Sequence, residues 1–171
     1  MLSRLMSFGR RDFVSLDARE MLSLAISAEE EDGAIYGEFA LRLADTYPGT
    51  AAIFRGMAEE ENTHRGRLLA LYRLRFGEHL VPIRREHVRG FLTRKPLWLM
   101  KQLSIEAVRQ QVWEMEEEAY RFYLEAAAQT SDAEVRRLLG DLAAAERGHQ
   151  ATADRLEDAH LGETGRESER Q

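Results

Sequence analysis

The chain has 171 residues, 32% charged and 44% hydrophobic, with three Pro and a net charge of −6. At roughly 150 residues per domain this is one globular domain, and a pI near 5.5 argues against a nucleic-acid binder, whose domain pI usually exceeds about 9. Zero Cys excludes disulfide frameworks, thiolate nucleophiles, iron–sulfur clusters and Cys-type zinc sites, and allows a reducing compartment.

Residues 1–15 hold no long apolar stretch before a cleavage site, so they read as an N-terminal segment, not a secretion signal. No apolar run approaches the roughly 18 residues of a membrane span. Four stretches poor in Gly and Pro repeat apolar residues every three or four positions. They predict helices over residues 16–46, 48–76, 104–130 and 132–159, each about 45 Å long where it reaches 30 residues. Tyr47-Pro48-Gly49 is a turn with Pro48 suited to a first helical position. Residues 77–103 contain Pro82, Gly90 and Pro96 and form a connection long enough to cross a bundle from end to end. Ser131 with Glu134 reads as a capping box that opens the fourth helix, and the polar residues 161–171 read as a linker or tail. The two short connections make antiparallel neighbours. Nothing suggests a sheet, so the expected fold is an all-α four-helix bundle over residues 16–160.

The second half repeats the first. Glu29 and Tyr36 match Glu116 and Tyr123 at an offset of 87 residues, and Glu61 and His64 match Glu146 and His149 at an offset of 85. The difference falls in the first turn, where indels are tolerated. On the seam of each helix, spaced alternately by four and three, the residues are mostly small or apolar until the middle. The first helix gives Ile26, Glu29, Gly33, Tyr36 and Ala40; the second gives Met57, Glu61, His64 and Leu68. The third gives Val112, Glu116, Ala119 and Tyr123; the fourth gives Leu142, Glu146, His149 and Ala153. One Glu interrupts every seam, and His follows by three residues on the second and fourth helices.

A buried unpaired carboxylate would sooner take a proton than stay charged. Four such groups in one core repel, and two divalent cations supply the balancing charge. Residues i and i+3 share a face, so each Glu-x-x-His can offer oxygen and nitrogen to one ion. One Glu from each of two helices plus a Glu-x-x-His from each of the others is the ligand set of dinuclear carboxylate bundles. The metal ligands expected here are therefore Glu29, Glu61, His64, Glu116, Glu146 and His149, with Asp32, one turn beyond Glu29, as an extra candidate. Glu157 also precedes His160 by three residues but has no repeat partner and reads as a helix-end coincidence. Glu59 and Glu60 match Ala144 and Ala145 and are expected to face solvent; Glu30, Glu31, Glu117 and Glu118 flank the candidate ligands and are expected to form a solvated face or to supply one extra ligand. Tyr36 and Tyr123 lie two turns after Glu29 and Glu116, placed either to fill the core or to donate a hydrogen bond to a ligand carboxylate. No HExxH, Gly-rich phosphate loop or G-x-S-x-G motif occurs.

At AISAEEEDGAIY, EEENTHRG, MEEEAYRFY and LAAAERGHQ the chain resembles the rubrerythrin branch of the ferritin-like superfamily, over about residues 16–159. It departs in having no Cys, whereas rubrerythrins carry a Cys-rich rubredoxin module. The connection FGEHLVPIRREHVRGFLTRKPLWL is also similar to that of the erythrin domain of bacterial membrane-bound ferritins, the erythrin–vacuolar iron transporter family. The resemblance implies a ferritin-like fold, two iron ions with manganese or zinc as substitutes, and iron handling under peroxide stress. It also implies a cytoplasmic place at the inner membrane, beside a membrane transporter domain outside this chain. A homodimer, with no nucleic acid partner, is the expected assembly.

Within the connection, Arg84, Arg85, Arg89, Arg94, Lys95 and Lys101 outnumber Glu78 and Glu86, and Phe91, Leu92, Leu97, Trp98 and Leu99 add apolar surface. It reads either as packing across the bundle or at a dimer interface, or as a contact with anionic lipid or a membrane domain. Two functions stay open: a ferroxidase or peroxidase-like centre that oxidises Fe(II) with O2 or H2O2, and a domain that captures or senses metal without turnover.

Overall fold

The computed structural model describes residues 10–91 and 104–168, with side chains described up to residue 156 except residue 154. Four helices, α1 (Ala18–Leu43), α2 (Pro48–Phe76), α3 (Ile105–Gln129) and α4 (Ala133–Ser168), make up the fold, with short 3-10 turns at Phe13–Ser15 and Arg85–His87. It is an all-α, ferritin-like four-helix bundle, as the apolar periodicity and the resemblance predict.

The helix ends follow local chemistry. Asp17 accepts from the Glu20 amide while the Glu20 side chain accepts from the Asp17 amide, a reciprocal cap that starts α1 two residues later than residue 16. Pro48 occupies the start of α2, and Gly77, at φ 83°, ends it in a left-handed conformation that glycine adopts without strain. Ser104 Oγ accepts from Ala107 N at 3.1 Å to open α3. The fourth helix departs from expectation at both ends. Asp132, not Ser131, caps it, accepting from Glu134 N at 2.9 Å and Val135 N at 3.1 Å. At the other end α4 continues to Ser168, through residues that composition marks as a tail. Extending an existing helix avoids the nucleation cost, and no Pro interrupts residues 161–168, so the single glycines Gly162 and Gly165 do not end it.

α1 packs on α2 and α3 on α4, and α2 and α4 meet between the two hairpins. Two apolar cores result. One joins the start of α1 to the end of α2, the end of α3 and the start of α4, through Leu22, Leu68, Tyr123 and Leu139. The other joins the opposite ends, through Phe39, Phe54, Val112 and Leu156. α2 therefore finishes at the end of the bundle opposite to where α3 begins, which requires the long crossover. Burying these side chains stabilises the fold by about 25 cal/mol per Å² of apolar surface removed from water. The polar middle between the two cores holds the site.

The described part of the crossover lies on the bundle. Ile83 and Val88 join the first core, and Arg11 pairs with Val88 in an isolated bridge through Arg11 N–His87 O and Arg89 N–Arg11 O, both 2.8 Å. Phe13 meets Phe122 edge-on at 5.6 Å, so residues 10–15 belong to the folded unit. Residues 92–103, with Leu92, Arg94, Lys95, Leu97, Trp98, Leu99 and Lys101, lie outside the described residues. Among the described residues no helix is long and apolar enough to cross a membrane.

Arg85 is the crossover's deepest anchor. It is buried and clasps Asp32 with two nitrogens at 2.9 and 2.5 Å. Burial works against its charge, and Asp32, Glu118 and Glu31 more than offset that, raising its pKa. Breaking a buried ion pair by deleting one partner costs about 3–5 kcal/mol, so Arg85→Ala should lower unfolding free energy by that order in urea melts. The double variant Arg85→Ala/Asp32→Ala should recover part of the loss. Equal stability of Arg85→Ala and wild type would show that the pair does not hold the crossover.

Candidate metal centre

The repeat places one Glu at mid-height on each helix, and all four are buried, as are His64 and His149. Ligand-type atoms of Glu29, Glu61, His64 and Glu146 lie within 4.8 Å of one another, as do those of Glu61, Glu116, Glu146 and His149. The sets share Glu61 and Glu146, the two carboxylates of the Glu-x-x-His pairs. Each group could hold a metal ion, and Glu61 and Glu146 could contribute to either. Gly33 lets α2 come close: a Cβ added there would lie 3.4 Å from that of Glu61.

The two imidazoles enter alike. His64 Nδ1 faces Glu29, Glu61 and Glu146 oxygens at 3.4, 3.5 and 3.6 Å. His149 Nδ1 faces Glu116, Glu61 and Glu146 oxygens at 3.2, 3.3 and 3.6 Å. The rings stack with centroids 5.9 Å apart. One buried atom on each of the six residues makes no hydrogen bond: Glu29 Oε2, Glu61 Oε1, His64 Nδ1, Glu116 Oε2, Glu146 Oε1 and His149 Nδ1. An unsatisfied buried polar atom costs about 1–3 kcal/mol, so six at one point call for a shared partner. A mixed carboxylate and imidazole donor set suits iron or manganese and also accepts zinc.

The tyrosines resolve the choice between core filling and hydrogen bonding. Tyr36 of α1 donates to Glu116 Oε1 of α3, and Tyr123 of α3 donates to Glu29 Oε1 of α1. Because α1 and α3 run antiparallel, each phenol, two turns along its helix, reaches the opposite carboxylate and leaves its second oxygen facing the cluster. Burial, with the nearby carboxylates, pushes both phenols well above the usual tyrosine range, so they remain donors.

Asp32 stands apart from both groups. Its carboxylate is clasped by Arg85, which directs it to the crossover instead of the cluster. Glu118, expected in solvent, has only 9% of its side chain exposed and lies 3.9 Å from Arg85. Glu31 lies 3.7 Å from Arg85, while Glu30 stays exposed and Glu117 accepts from Arg121 and Gln150 at the surface. The side chains of Glu157 and His160 lie outside those described. Two contacts were not anticipated from sequence. Glu60 Oε2 meets His149 Nε2 at 2.5 Å, although Glu60 is otherwise exposed. Arg85 occupies an inward position in a run where Pro82 and Arg84 point out and Ile83 points in; that alternation was the available signal.

A four-helix bundle with paired Glu-x-x-His motifs converging on a buried core cluster is a dinuclear-type carboxylate bundle in architecture. The family model described as Rubrerythrin matches residues 20–157, and the chain belongs to the rubrerythrin family. Two solved structures share the fold. A hypothetical protein from Pyrococcus furiosus aligns with a TM-score of 0.65 at 26% identity, over 85% of this chain and 94% of its own. An uncharacterized conserved protein from Magnetospirillum magnetotacticum MS-1 aligns with a TM-score of 0.63 at 26% identity, over 82% of this chain and 93% of its own. No curated protein matches.

Protons can balance this cluster in the absence of metal. Burial and the neighbouring Glu61 raise Glu29 well above the usual carboxylate range, and burial and Glu116 do the same to Glu146. Burial also opposes the charge on Glu61, but contacts with Glu29 and both imidazoles hold it below that range. Burial disfavours the His64 imidazolium, yet Glu29 and Glu61 raise its pKa from 6.5 to about 9. A group with a raised folded pKa contributes stability that is full below its unfolded value and lost as pH climbs through the folded value. Glu29 and Glu146 act in the same direction above pH 4.5, and Glu61 acts oppositely only at acid pH. Chelator-treated protein should therefore lose stability as pH rises from 6.5 to about 9, measured by thermal melts. Protein loaded with a divalent metal should lose less, since the ligands are already deprotonated. Identical pH profiles for the two would contradict this account.

Proposed function

We propose that this domain takes up two Fe(II) ions at the six-residue cluster and oxidises them with O2 or H2O2. The observation that carries the reading is the set of six buried, unpartnered ligand atoms, one on each of the six residues that the repeat predicts. Glu29 and His64 would hold one ion, Glu116 and His149 the other, and Glu61 and Glu146 would serve both. When bound, the pair supplies two electrons, enough to reduce one H2O2 and two protons to two waters. The chain's own residues do the rest. Tyr36 and Tyr123 keep the Glu116 and Glu29 carboxylates aimed inward, the apolar cores above and below limit water, and Glu29 and Glu146 give up their protons on binding.

Anaerobic titration with Fe(II) should saturate at about two ions per chain. Glu61→Ala and Glu146→Ala should remove uptake at both positions, whereas Glu29→Ala should spare the His149 position and Glu116→Ala the His64 position. Uptake that ignores all four substitutions would overturn the metal reading. On addition of air or H2O2, the loaded protein should oxidise Fe(II) faster than a protein-free control. Oxidation at the protein-free rate, with two ions still bound, would leave metal capture as the function and remove the oxidoreductase reading.

A further inference from the structure

The internal repeat equates Glu60 on α2 with Ala145 on α4, and this is where the two halves of the cluster cease to match. Glu60 Oε2 lies 2.5 Å from His149 Nε2. A carboxylate accepts, so Nε2 carries the hydrogen of this contact, which leaves Nδ1, the atom facing Glu116, Glu61 and Glu146, as the nitrogen that would ligate a metal ion. At the mirror position the Ala145 side chain has no acceptor to offer His64. Both imidazoles otherwise enter the cluster through Nδ1 at closely similar distances. A carboxylate on the outer nitrogen fixes the tautomer and ring orientation and raises the basicity of the inner one.

We propose that Glu60 is a positioning residue that makes the two metal positions inequivalent, so that the position at His149 fills first and the position at His64 holds the weaker, exchangeable ion. The inference rests on the dinuclear reading of the cluster and adds an order of filling to it. The His64 ion is then the one released or replaced, while the His149 ion stays.

The test is anaerobic titration of the full chain with Co(II), followed by calorimetry and by the hyperfine-shifted imidazole N–H signals of ligating histidines. The wild type should bind in two steps, and the first equivalent should bring up the slowly exchanging N–H of the His149 ring, which is lost in His149→Ala. Glu60→Ala should weaken the first step about 10- to 100-fold and speed exchange of that N–H, leaving the second step unchanged. Glu60→Gln, which keeps an acceptor without the charge, should fall between. Ala145→Glu should strengthen the second step, and Glu59→Ala, one residue away, should change neither. Two ions bound with both steps untouched by Glu60→Ala, or lowered equally, would overturn the inference alone. No Co(II) bound by the wild type would overturn the dinuclear reading on which it stands.

Discussion

Four carboxylates buried at one height of a helical bundle are the constraint around which the rest of this structure is arranged. Charged, unpaired groups cannot remain so in a low-dielectric interior; they must take protons, cations or hydrogen bonds. The chain uses all three. Tyr36 and Tyr123 occupy one oxygen each of Glu116 and Glu29, protons favour Glu29 and Glu146, and the His64 and His149 rings bring Nδ1 within 3.2–3.6 Å of carboxylate oxygens as charge partners without a hydrogen bond. What is left is one buried atom per residue without a hydrogen bond, gathered in two overlapping groups whose ligand-type atoms lie within 4.8 Å of one another. Such a cluster is held in place by its surroundings, which is why the apolar cores lie above and below it instead of around it.

The crossover follows from the same arrangement. To place the two Glu-x-x-His helices side by side, α2 and α4 must meet between the hairpins, and the chain must then travel the length of the bundle before α3 begins. That path is held by a second charge cluster, in which buried Arg85 gathers buried Asp32, together with Glu118 and the half-buried Glu31. Asp32 lies one turn from Glu29 and would otherwise add a fifth carboxylate beside the four. Arg85 therefore serves two ends at once: it fixes the crossover and keeps Asp32 on the flank of the site.

The six cluster residues and the bundle were legible because both depend on periodicity. A seam position is decided by the 3.6-residue repeat, and a Glu that interrupts an apolar seam stands out twice when the halves are compared. Gly33 and the tyrosines could be placed on the same face by the same counting. Glu60 could not, because it lies off the seam and acts by reaching to another helix; adjacency in sequence to Glu61 says nothing about His149. The pairing of Arg85 with Asp32 was hidden in the same way, since basic residues in a connection read as surface charge and only the alternation around Ile83 pointed inward. The cap at Asp132 and the length of α4 were misread for a different reason. The adjacent side chains of Ser131 and Asp132 compete for one cap, and composition alone underrates how far a helix, once started, can propagate.

The pseudo-twofold repeat also explains where function can differ from symmetry. Duplicated residues give two groups of nearly the same make-up, and a pair of metal positions built only from them would bind two ions with similar affinity. Departure has to come from residues outside the repeat, and Glu60 opposite Ala145 is such a departure, set on the outer nitrogen of one imidazole. Its carboxylate is exposed while its contact is with a buried ring, so it links the surface to the cluster at one end and not the other. A site that keeps one ion and exchanges the other suits both oxidation of incoming Fe(II) and delivery of it, because each requires a position that empties while the carboxylates remain neutralised by the ion that stays.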